Sequence, residues 1–381
     1  MSEVLVIGGG YAGVMAANRV AGAGGHVTMV NPRPKFVERI RLHQLAADND
    51  DAVEDYAAIL NENVRLVVDT AVRIDAADRR VELASGDALT YDHLVYAVGS
   101  TGAVPAAVPG AAEFAYPLSE LEQAQRLRAR LADVPVTAPI VVVGGGLTGI
   151  EAASEFAESG RPVTLVGTLG PSLSKSGRRS VAKQLRTLGV TILETIVTAV
   201  TADSVIAGGR TLPSAATVWT AGFGVPGLAA ASGLTTDEVG RLVTDETLTS
   251  VDDPHIVATG DAATPSRLPY RMSCQSGLPL GAFAGDTVLA RMAGGQPSDV
   301  SVPFAAQCIS IGRSHGTVQF QRKDDSPTGV YIGGRAGAFI KEQVCRYTLK
   351  WMTGEATKPG SYKTLKGADR SAAVAAQESK V

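Results

Sequence analysis

The sequence predicts an α/β protein with two Rossmann-like dinucleotide-binding domains, each three-layered around a parallel sheet, and a small α+β C-terminal segment. Two glycine fingerprints support this prediction: Gly8-Gly9-Gly10-Tyr11-Ala12-Gly13 and Gly144-Gly145-Gly146-Leu147-Thr148-Gly149. Each follows a short apolar, β-branched run, at residues 4–7 and 140–143, of the kind that a parallel sheet buries on both faces. Each also leads into a helical pattern. Two copies in this context indicate a protein that binds two dinucleotides.

The glycines of each turn have separate physical roles. The first, Gly8 or Gly144, allows a tight bend, and the second, Gly10 or Gly146, lets the backbone approach a pyrophosphate. The third, Gly13 or Gly149, allows close packing of helix on strand. The first helical residues, Tyr11 and Ala12 in one copy and Leu147 and Thr148 in the other, offer unpaired N–H groups to the phosphates. The alternative is a glycine-rich turn without a ligand.

Composition excludes several classes of protein. A chain of 381 residues with 42 glycines and 45% hydrophobic residues is too long for one ordinary core. The net charge of −3 gives no electrostatic case for nucleic-acid binding. The first strand begins within three residues, so no signal peptide is expected, and no apolar run reaches the ~18 residues of a membrane span. The three cysteines form no CxxC pair, which favours a reduced cytoplasmic compartment. No spacing of His, Cys, Asp and Glu predicts a metal site.

The strand after the first fingerprint, residues 27–30, is expected to end at an acid that binds a ribose hydroxyl. Asn31 occupies that position. Its amide can hydrogen-bond a hydroxyl, but without the strength of a charged acceptor.

Two further segments resemble known flavin motifs. Residues 90–100 form a polar turn and a strand with Ala97 and Gly99 at its end, and residues 253–263 repeat the design with Gly260 and Asp261. With the fingerprints, they resemble in order the four motifs of flavoproteins with two dinucleotide-binding domains. The resemblance implies FAD at the first fingerprint, NAD(P)H at the second, and Asp261 as a ligand of the ribityl or phosphate part of FAD. A helix N-cap is an alternative role for Asp261, and both roles can hold together.

Within that superfamily the chain resembles type II NADH dehydrogenases and apoptosis-inducing-factor-like quinone reductases. It has no redox-active cysteine pair of the kind that disulfide reductases need. Residues 36–44, with Arg41, resemble the segment after the second strand in these flavoproteins, and residues 219–223, with Gly222, resemble the segment that closes the NAD(P)H domain. Residues 309–316 resemble a C-terminal signature of small quinone reductases that protect membranes. The resemblance spans about residues 1–352 and implies that Arg41 and Gly222 are cofactor-binding residues.

Two residues are predicted to act in catalysis. Gln275 matches the first glutamine of an AQxAxQ segment found beside flavin and quinone in type II dehydrogenases, whereas Pro279 replaces the second. A helix that starts near Gln275 would place its positive end at the flavin ring. The resemblance places Glu151 close to the nicotinamide. The alternatives are a simple helix start for Gln275 and a helix-dipole role for Glu151.

The sequence leaves the choice between NADH and NADPH open. The strand at residues 163–166 ends at Gly167, where an NADH enzyme usually has an acid. Lys175, Arg178 and Arg179 follow at a distance that could reach a 2′-phosphate, so Arg178 and Arg179 are assigned to the cofactor. The alternative is a solvated helix start.

The motifs predict the domain organisation. An FAD-binding domain is expected at 1–105 and 223–296, an NAD(P)H-binding domain at 106–222, a C-terminal segment at 297–353 and a disordered tail at 354–381. The C-terminal helix, predicted at 338–352, has an apolar stripe of Ile340, Val344, Tyr347 and Trp351. Core or dimer interface is the favoured reading of that stripe, and weak peripheral membrane contact is the alternative.

These motifs and resemblances together predict an FAD-dependent NAD(P)H oxidoreductase that passes electrons to a quinone or similar small acceptor. Three alternatives stay open: a ferredoxin or rubredoxin reductase, a tailoring oxidoreductase acting on a biosynthetic intermediate, and a flavin-bound redox sensor. The expected partners are a small-molecule acceptor, no nucleic acid, and at most a weakly contacted membrane. The chain is expected to be a monomer or a homodimer.

Overall fold

A computed structural model describes residues 2–379. The strands in chain order are β1 (Glu3–Ile7), β2 (His26–Asn31), β3 (Lys35–Val37), β4 (Val53–Asp55), β5 (Val64–Val68), β6 (Ala71–Asp75), β7 (Arg80–Leu83), β8 (Ala88–Thr90), β9 (His93–Tyr96), β10 (Thr101–Gly102), β11 (Ala115–Pro117), β12 (Ile140–Val143), β13 (Val163–Val166), β14 (Thr191–Leu193), β15 (Val197–Val200), β16 (Ser204–Ala207), β17 (Arg210–Pro213), β18 (Ala216–Trp219), β19 (Phe223–Gly224), β20 (Leu242–Thr244), β21 (Ile256–Ala258), β22 (Ala263–Pro265), β23 (Ala306–Ile311), β24 (His315–Gln321) and β25 (Pro327–Gly333). The helices are α1 (Tyr11–Gly22), α2 (Leu42–Ala46), α3 (Tyr56–Ile59), α4 (Ala111–Phe114), α5 (Leu121–Asp133), α6 (Leu147–Glu158), α7 (Lys175–Thr187), α8 (Leu228–Ala231), α9 (Cys274–Met292), α10 (Gly334–Thr357) and α11 (Ser371–Glu378).

Two five-stranded parallel sheets organise the molecule. The first has the strand order β21-β9-β1-β2-β5, and the second has the order β11-β18-β12-β13-β14. In each sheet the strand before a glycine fingerprint is central, β1 in the first and β12 in the second. All four residues of β12 are buried, as their β-branched sequence predicts. The predicted fold class is therefore confirmed, and each fingerprint lies at the carboxyl end of a central strand.

A short antiparallel ribbon connects the two sheets. Thr101 of β10 pairs with Gly224 of β19, so the chain passes to the second sheet and returns from it side by side. The sequence predicts the domain crossings at about residues 105 and 223, close to this ribbon.

Close contact between α1 and α9 brings distant parts of the first sheet's domain together. Gly277, Gly281 and Gly285 lie on one side of α9 at intervals of four residues. A Cβ atom on Gly281 would lie 2.3 Å from the Ala12 carbonyl oxygen, and one on Gly285 would lie 2.8 Å from the Arg19 side chain. The missing side chains therefore allow the start of α9 to approach the first fingerprint helix.

The C-terminal segment is a three-stranded antiparallel sheet, β23-β24-β25, covered by α10. The side of α10 that faces the protein carries Gly337, Lys341, Cys345, Thr348, Met352, Glu355 and Ala356. The predicted apolar stripe lies on the other side. Tyr347 is 40% and Trp351 42% exposed, and Ile340 and Val344 are half-buried. The core alternative is therefore wrong, because polar side chains satisfy one another beneath the helix. The dimer-interface alternative stays a prediction.

The predicted disordered tail is also wrong within residues 354–379. Helix α10 continues to Thr357, and the buried Glu355 carboxylate pairs with Arg19 Nε at 2.6 Å. Glu355 also accepts hydrogen bonds from the backbone N–H groups of Gly360 and Tyr362. One buried carboxylate thus fixes a turn that the polar, small-residue composition does not predict. Along residues 2–379, no helix is long and apolar enough to cross a membrane.

Candidate functional site

The first glycine turn has the geometry of a dinucleotide cradle. Gly8 has a φ of +104°, and a Cβ atom there would lie 2.3 Å from the Ala97 carbonyl oxygen. A Cβ atom on Gly13 would lie 1.9 Å from the Gly8 carbonyl oxygen, whereas a Cβ atom on Gly10 meets nothing within 4 Å. Two glycines are therefore required by packing, and Gly10 faces open space where a pyrophosphate could approach.

Asn31 closes this turn from the end of β2. Its side-chain oxygen accepts a hydrogen bond from Gly9 N at 3.0 Å, and its Nδ2 donates to the Arg33 carbonyl oxygen at 2.8 Å. Tyr56 donates its hydroxyl to the Gly9 carbonyl oxygen. The structure therefore shows Asn31 supporting the backbone of the cradle, and its role as a ribose ligand stays a prediction.

Asp261 lies beside the first cradle, in a 3₁₀ turn that begins at Gly260. Its Oδ2 accepts a hydrogen bond from Ser100 Oγ at 2.6 Å, and its Oδ1 accepts one from Ser273 N at 3.2 Å. Burial raises the pKa of Asp261, and the bond from Ser100 opposes that effect. Gly99, with a φ of +71°, precedes Ser100 and turns the chain after β9. The fingerprint, the segment around Ala97 and Gly99, and the Gly260–Asp261 turn thus meet at one place.

Arg39, which no sequence motif singles out, reaches this place as well. Its Nη1 donates to Ser100 Oγ at 3.0 Å, and its Nε donates to the Ser119 carbonyl oxygen at 3.0 Å. Arg41 lies in the same segment but binds Glu342 through two nitrogen atoms, at 3.1 and 3.3 Å. The cofactor role of Arg41 stays a prediction, and Arg39 is the arginine of this segment that lies near Asp261, through Ser100. Sequence does not distinguish the two arginines, because η1 (Arg39–Arg41) is a tight 3₁₀ turn that points them to different neighbours.

Helix α9 begins at the edge of the same cradle. Ser273 caps it by accepting a hydrogen bond from Ser276 N, and Gln275 lies in its first turn. The Gln275 side-chain oxygen accepts a hydrogen bond from Arg271, which pairs with Asp325. The predicted helix start at Gln275 is present, and its catalytic role stays a prediction.

The second glycine turn repeats the geometry of the first. Gly144 has a φ of +113°, and a Cβ atom on Gly149 would lie 1.8 Å from the Gly144 carbonyl oxygen. A Cβ atom on Gly146 meets nothing within 4 Å. Leu147 and Thr148 begin α6, and Gly222, with a φ of +86°, lies in the turn between β18 and β19. This second cradle is therefore open at the same position as the first.

Among the described residues, two buried hydroxyl groups in this part of the molecule lack hydrogen-bond partners, which bears on whether a polar ligand fits there. Within residues 2–379, Thr259 Oγ1 and Ser119 Oγ are buried without a hydrogen-bond partner. Thr259 precedes Gly260, and Ser119 is the residue whose carbonyl oxygen binds Arg39. Buried hydroxyl groups ordinarily have partners. Two buried hydroxyl groups without partners in the described part of the chain, one next to Gly260 and one on the residue whose carbonyl oxygen binds Arg39, fit a polar ligand such as FAD.

Glu151 lies behind the second cradle, on α6, in a buried ion pair. Lys341 Nζ lies 3.1 Å from Glu151 Oε1, which also accepts a hydrogen bond from Ser310 N at 3.0 Å. Burial raises the pKa of Glu151, but Lys341, His43 and the Ser310 N–H outweigh it and hold that pKa below its usual value. Glu151 is therefore ionised, and it ties α6 to the C-terminal helix.

His43, from α2, lies between the two buried carboxylates of α6. Its Nδ1 is 3.9 Å from Glu151, and its Nε2 is 4.0 Å from Glu155, which pairs with Arg313. Burial lowers the pKa of His43 to about 4, so the ring is neutral at pH 7. Three parts of the chain, distant in sequence, thus meet in one buried polar cluster of His43, Glu151, Glu155, Ser310, Arg313 and Lys341.

We expect His43 to make the folded state less stable as the pH falls from about 6.5 to about 4. Between these values the unfolded chain protonates His43 and the folded chain does not, so the free energy of unfolding decreases by about 3 kcal/mol across the window. Urea unfolding at several pH values, for the parent and for His43→Gln, measures this contribution as a difference. The comparison with His43→Gln is needed because Glu38, whose pKa is raised to about 7, makes the folded state more stable as the pH falls, which is the opposite effect. A pH-independent difference between the two proteins would contradict the expectation.

A cavity of about 330 Å³ opens beside the buried polar cluster. Its lining is mostly charged or amide-bearing: Arg41, Gln44, Asn49, Asp50, Ser310, Gly312, Arg313, Ala338, Lys341, Glu342 and Cys345. Every cation in this wall has an acidic partner: Arg41 with Glu342, Arg313 with Glu155 and Lys341 with Glu151. The wall is therefore polar, and each of its cations is paired, with Asp50 as a further acid 3.8 Å from Arg41.

Arg178 and Arg179 lie on α7, which packs against β24 and β25. Ser174 caps this helix, and Ser176 Oγ donates to the Gly329 carbonyl oxygen. Among residues 2–379 neither arginine has an ion-pair partner. Their assignment to a 2′-phosphate stays a prediction.

The three cysteines lie closer together than their sequence spacing suggests. Burial raises the pKa of Cys274 and Cys308 to about 11, and Cys345 raises both further. Burial raises the pKa of Cys345 as well. All three are therefore thiols at neutral pH, not the thiolates that disulfide exchange requires.

Two open glycine cradles on two parallel sheets, with a buried aspartate beside the first, define a pyridine-nucleotide-dependent flavoprotein oxidoreductase. The chain belongs to the pyridine nucleotide-disulphide oxidoreductase family, whose model matches residues 2–279. The predicted cofactors, FAD and NAD(P)H, fit this family and the two cradles.

The relatives agree with the narrower resemblance. The chain is 31% identical to an NADH dehydrogenase-like protein of Mycobacterium tuberculosis over 346 residues, which cover 82% of this chain and 86% of the relative. It is 28% identical to human ferroptosis suppressor protein 1 over 200 residues, covering 50% and 52%. The structure of NDH2 from Plasmodium falciparum in complex with NADH matches it with a TM-score of 0.79 at 14% identity, covering 95% and 99%. The predicted resemblance to type II NADH dehydrogenases and apoptosis-inducing-factor-like reductases is confirmed, and the match to NDH2 shows the shared fold.

Proposed function

We propose that the protein transfers a hydride from NAD(P)H to FAD and passes the electrons to a quinone or a similar small conjugated acceptor. The observation that carries the proposal is the pair of cradles open at Gly10 and Gly146. When bound, FAD would supply the redox chemistry, because it accepts a hydride and donates electrons onward.

The residues around the first cradle would hold and tune FAD. Tyr11 and Ala12 begin α1, and their N–H groups would donate to the pyrophosphate. Asp261 and Arg39, joined through Ser100, supply a charged pair beside it. The first turn of α9, with Gln275, would bring the positive end of a helix dipole towards negative charge on the reduced ring.

The residues around the second cradle would orient the nicotinamide. Glu151 is held by Lys341 and Ser310, so its position is fixed before a substrate binds. A fixed carboxylate on the fingerprint helix suits the positioning role that we propose for it. The proposed domain division, with the second sheet inserted between residues 105 and 223, would place this helix against the first domain.

Exposed apolar side chains on the outer face of α10 support the proposal of a lipophilic acceptor. Phe339 is 66% exposed, and Tyr347 and Trp351, about two and three turns further along the same helix, are 40% and 42% exposed. Val330, on β25, is 61% exposed. These side chains, with Arg346 and Lys350 nearby, suit the weak and reversible membrane contact that we propose alongside the quinone acceptor.

An anaerobic stopped-flow experiment on the purified holoenzyme tests the proposal. NADH or NADPH should bleach the flavin absorbance, and a menaquinone analogue should then restore it. Because donor and acceptor react in turn, steady-state lines at several quinone concentrations should be parallel. Bleaching without reoxidation would remove quinone as the acceptor, and protein purified without flavin would overturn the whole proposal.

A further inference from the structure

The loop after β13 lies directly against the second glycine turn. Gly170 N donates to the Gly145 carbonyl oxygen at 2.7 Å. A Cβ atom on Gly145 would lie 2.3 Å from the Thr168 carbonyl oxygen, so the two backbones approach without space for a side chain. In dinucleotide-binding folds, the end of this second strand is where the adenosine ribose is recognised. A charged group that contacts this loop would therefore lie close to the ribose.

Gly167 supplies no such charge, but the neighbouring strand does. β14 runs parallel to β13, with Leu193 paired to Val166, so both strands end at the same edge of the sheet. The next residue, Glu194, bends back over the loop, and its Oε1 accepts a hydrogen bond from Leu169 N at 3.0 Å. Glu194 remains exposed. Because a carboxylate has about four acceptor positions, one bond to Leu169 leaves Oε2 free for a ligand hydroxyl.

The charge of Glu194 is not neutralised by the basic residues of α7. Among residues 2–379 no ion pair joins Glu194 to Lys175, Arg178 or Arg179. These residues belong to a helix whose first turn is attached to the C-terminal sheet through Ser174, which hydrogen-bonds Gln319. Within residues 2–379 the carboxylate therefore faces the loop without a paired cation.

We propose that Glu194 binds the adenosine ribose of NADH and makes this site select NADH over NADPH. The inference rests on the proposed binding of NAD(P)H at the second cradle. A carboxylate accepts a charge-assisted hydrogen bond from a ribose 2′-hydroxyl. A 2′-phosphate at the same place would carry like charge and could donate no equivalent bond. NADH-binding domains usually have this acid at the end of the second strand, here β13. In this protein Glu194, at the end of the third strand, β14, supplies it instead.

The test compares the binding of NAD⁺ and NADP⁺ to the oxidised holoenzyme by isothermal titration calorimetry, which needs no turnover. The parent should bind NAD⁺ at least about tenfold more tightly than NADP⁺. In Glu194→Gln the amide oxygen can still accept from Leu169 N, but the charge is gone. NAD⁺ should then bind more weakly and NADP⁺ more tightly, so that the ratio of the two affinities falls by about tenfold.

Asp133→Asn is the matched control, because it removes an exposed negative charge at the end of α5, in the same 106–222 part of the chain. It should leave the ratio unchanged. A parent that prefers NADP⁺, or a Glu194→Gln ratio equal to that of the parent, would overturn the role of Glu194 while leaving the oxidoreductase proposal standing. Binding of neither nucleotide, together with no flavin bleaching by NADH or NADPH, would instead reject the proposed function and the inference with it.

Discussion

Lys341→Met is expected to lower the free energy of unfolding by about 3–5 kcal/mol, because it leaves the Glu151 carboxylate buried without its counter-charge. The Glu151 side chain is 9% and the Lys341 side chain 11% exposed. The Ser310 N–H and the neutral His43 ring cannot replace an ammonium group at 3.1 Å. Methionine fills a similar volume with an unbranched apolar chain, so the loss reflects charge more than an empty cavity.

A double-mutant cycle separates this ion pair from its surroundings. Glu151→Gln removes the charge but keeps an oxygen that can accept from Ser310 N. The double variant Lys341→Met/Glu151→Gln should therefore regain most of the stability lost in Lys341→Met alone. Urea unfolding of the four proteins gives the coupling energy, which we expect to exceed about 2 kcal/mol. Additive effects would show that Glu151 and Lys341 do not act as a pair.

The same cluster illustrates what sequence does and does not reveal. The strands β12 and β13 and the starts of α1 and α6 follow from local patterns, because β-branched runs and glycine turns determine them within about ten residues. The partners of Glu151 do not, since Lys341 lies 190 positions away and outside every motif. Ser310 lies 159 positions away in the segment 309–316, whose resemblance does not indicate that its N–H binds Glu151. Lys341 would be read as a solvated lysine between the apolar residues of α10.

Long-range packing also determines which side of α10 faces the protein, and it is the polar side. Its apolar residues Tyr347 and Trp351 suggested a buried face, yet Lys341 and Glu355 are buried instead, each with a partner from another part of the chain. Hydrophobic periodicity finds a helix reliably, but it assigns the inward face only when that face is apolar. The role proposed for Glu194 does not follow from sequence for a related reason: the usual position of the acid is the end of β13, and Glu194 follows the parallel neighbour β14.

Gly10→Ala and Gly146→Ala are each expected to weaken the binding of a different nucleotide while leaving the fold intact. Gly10 has φ and ψ of −81° and −170°, and Gly146 has −70° and −177°, which alanine adopts readily. A Cβ atom at either position meets no protein atom within 4 Å. The added methyl group therefore costs little in folding and acts only on a ligand whose pyrophosphate approaches the backbone there.

Each substitution should weaken one nucleotide at least about tenfold. Gly10→Ala should lose flavin absorbance at 450 nm on purification, whereas Gly146→Ala should stay yellow and lose NAD⁺ binding by calorimetry. Gly227→Ala, at the open N-cap of α8 and outside both cradles, is the matched control and should keep both nucleotides. Circular dichroism melting of the proteins checks that each one folds. If Gly146→Ala loses its flavin instead, the assignments of the two cradles are exchanged. If both variants retain both nucleotides fully, neither open position receives a pyrophosphate.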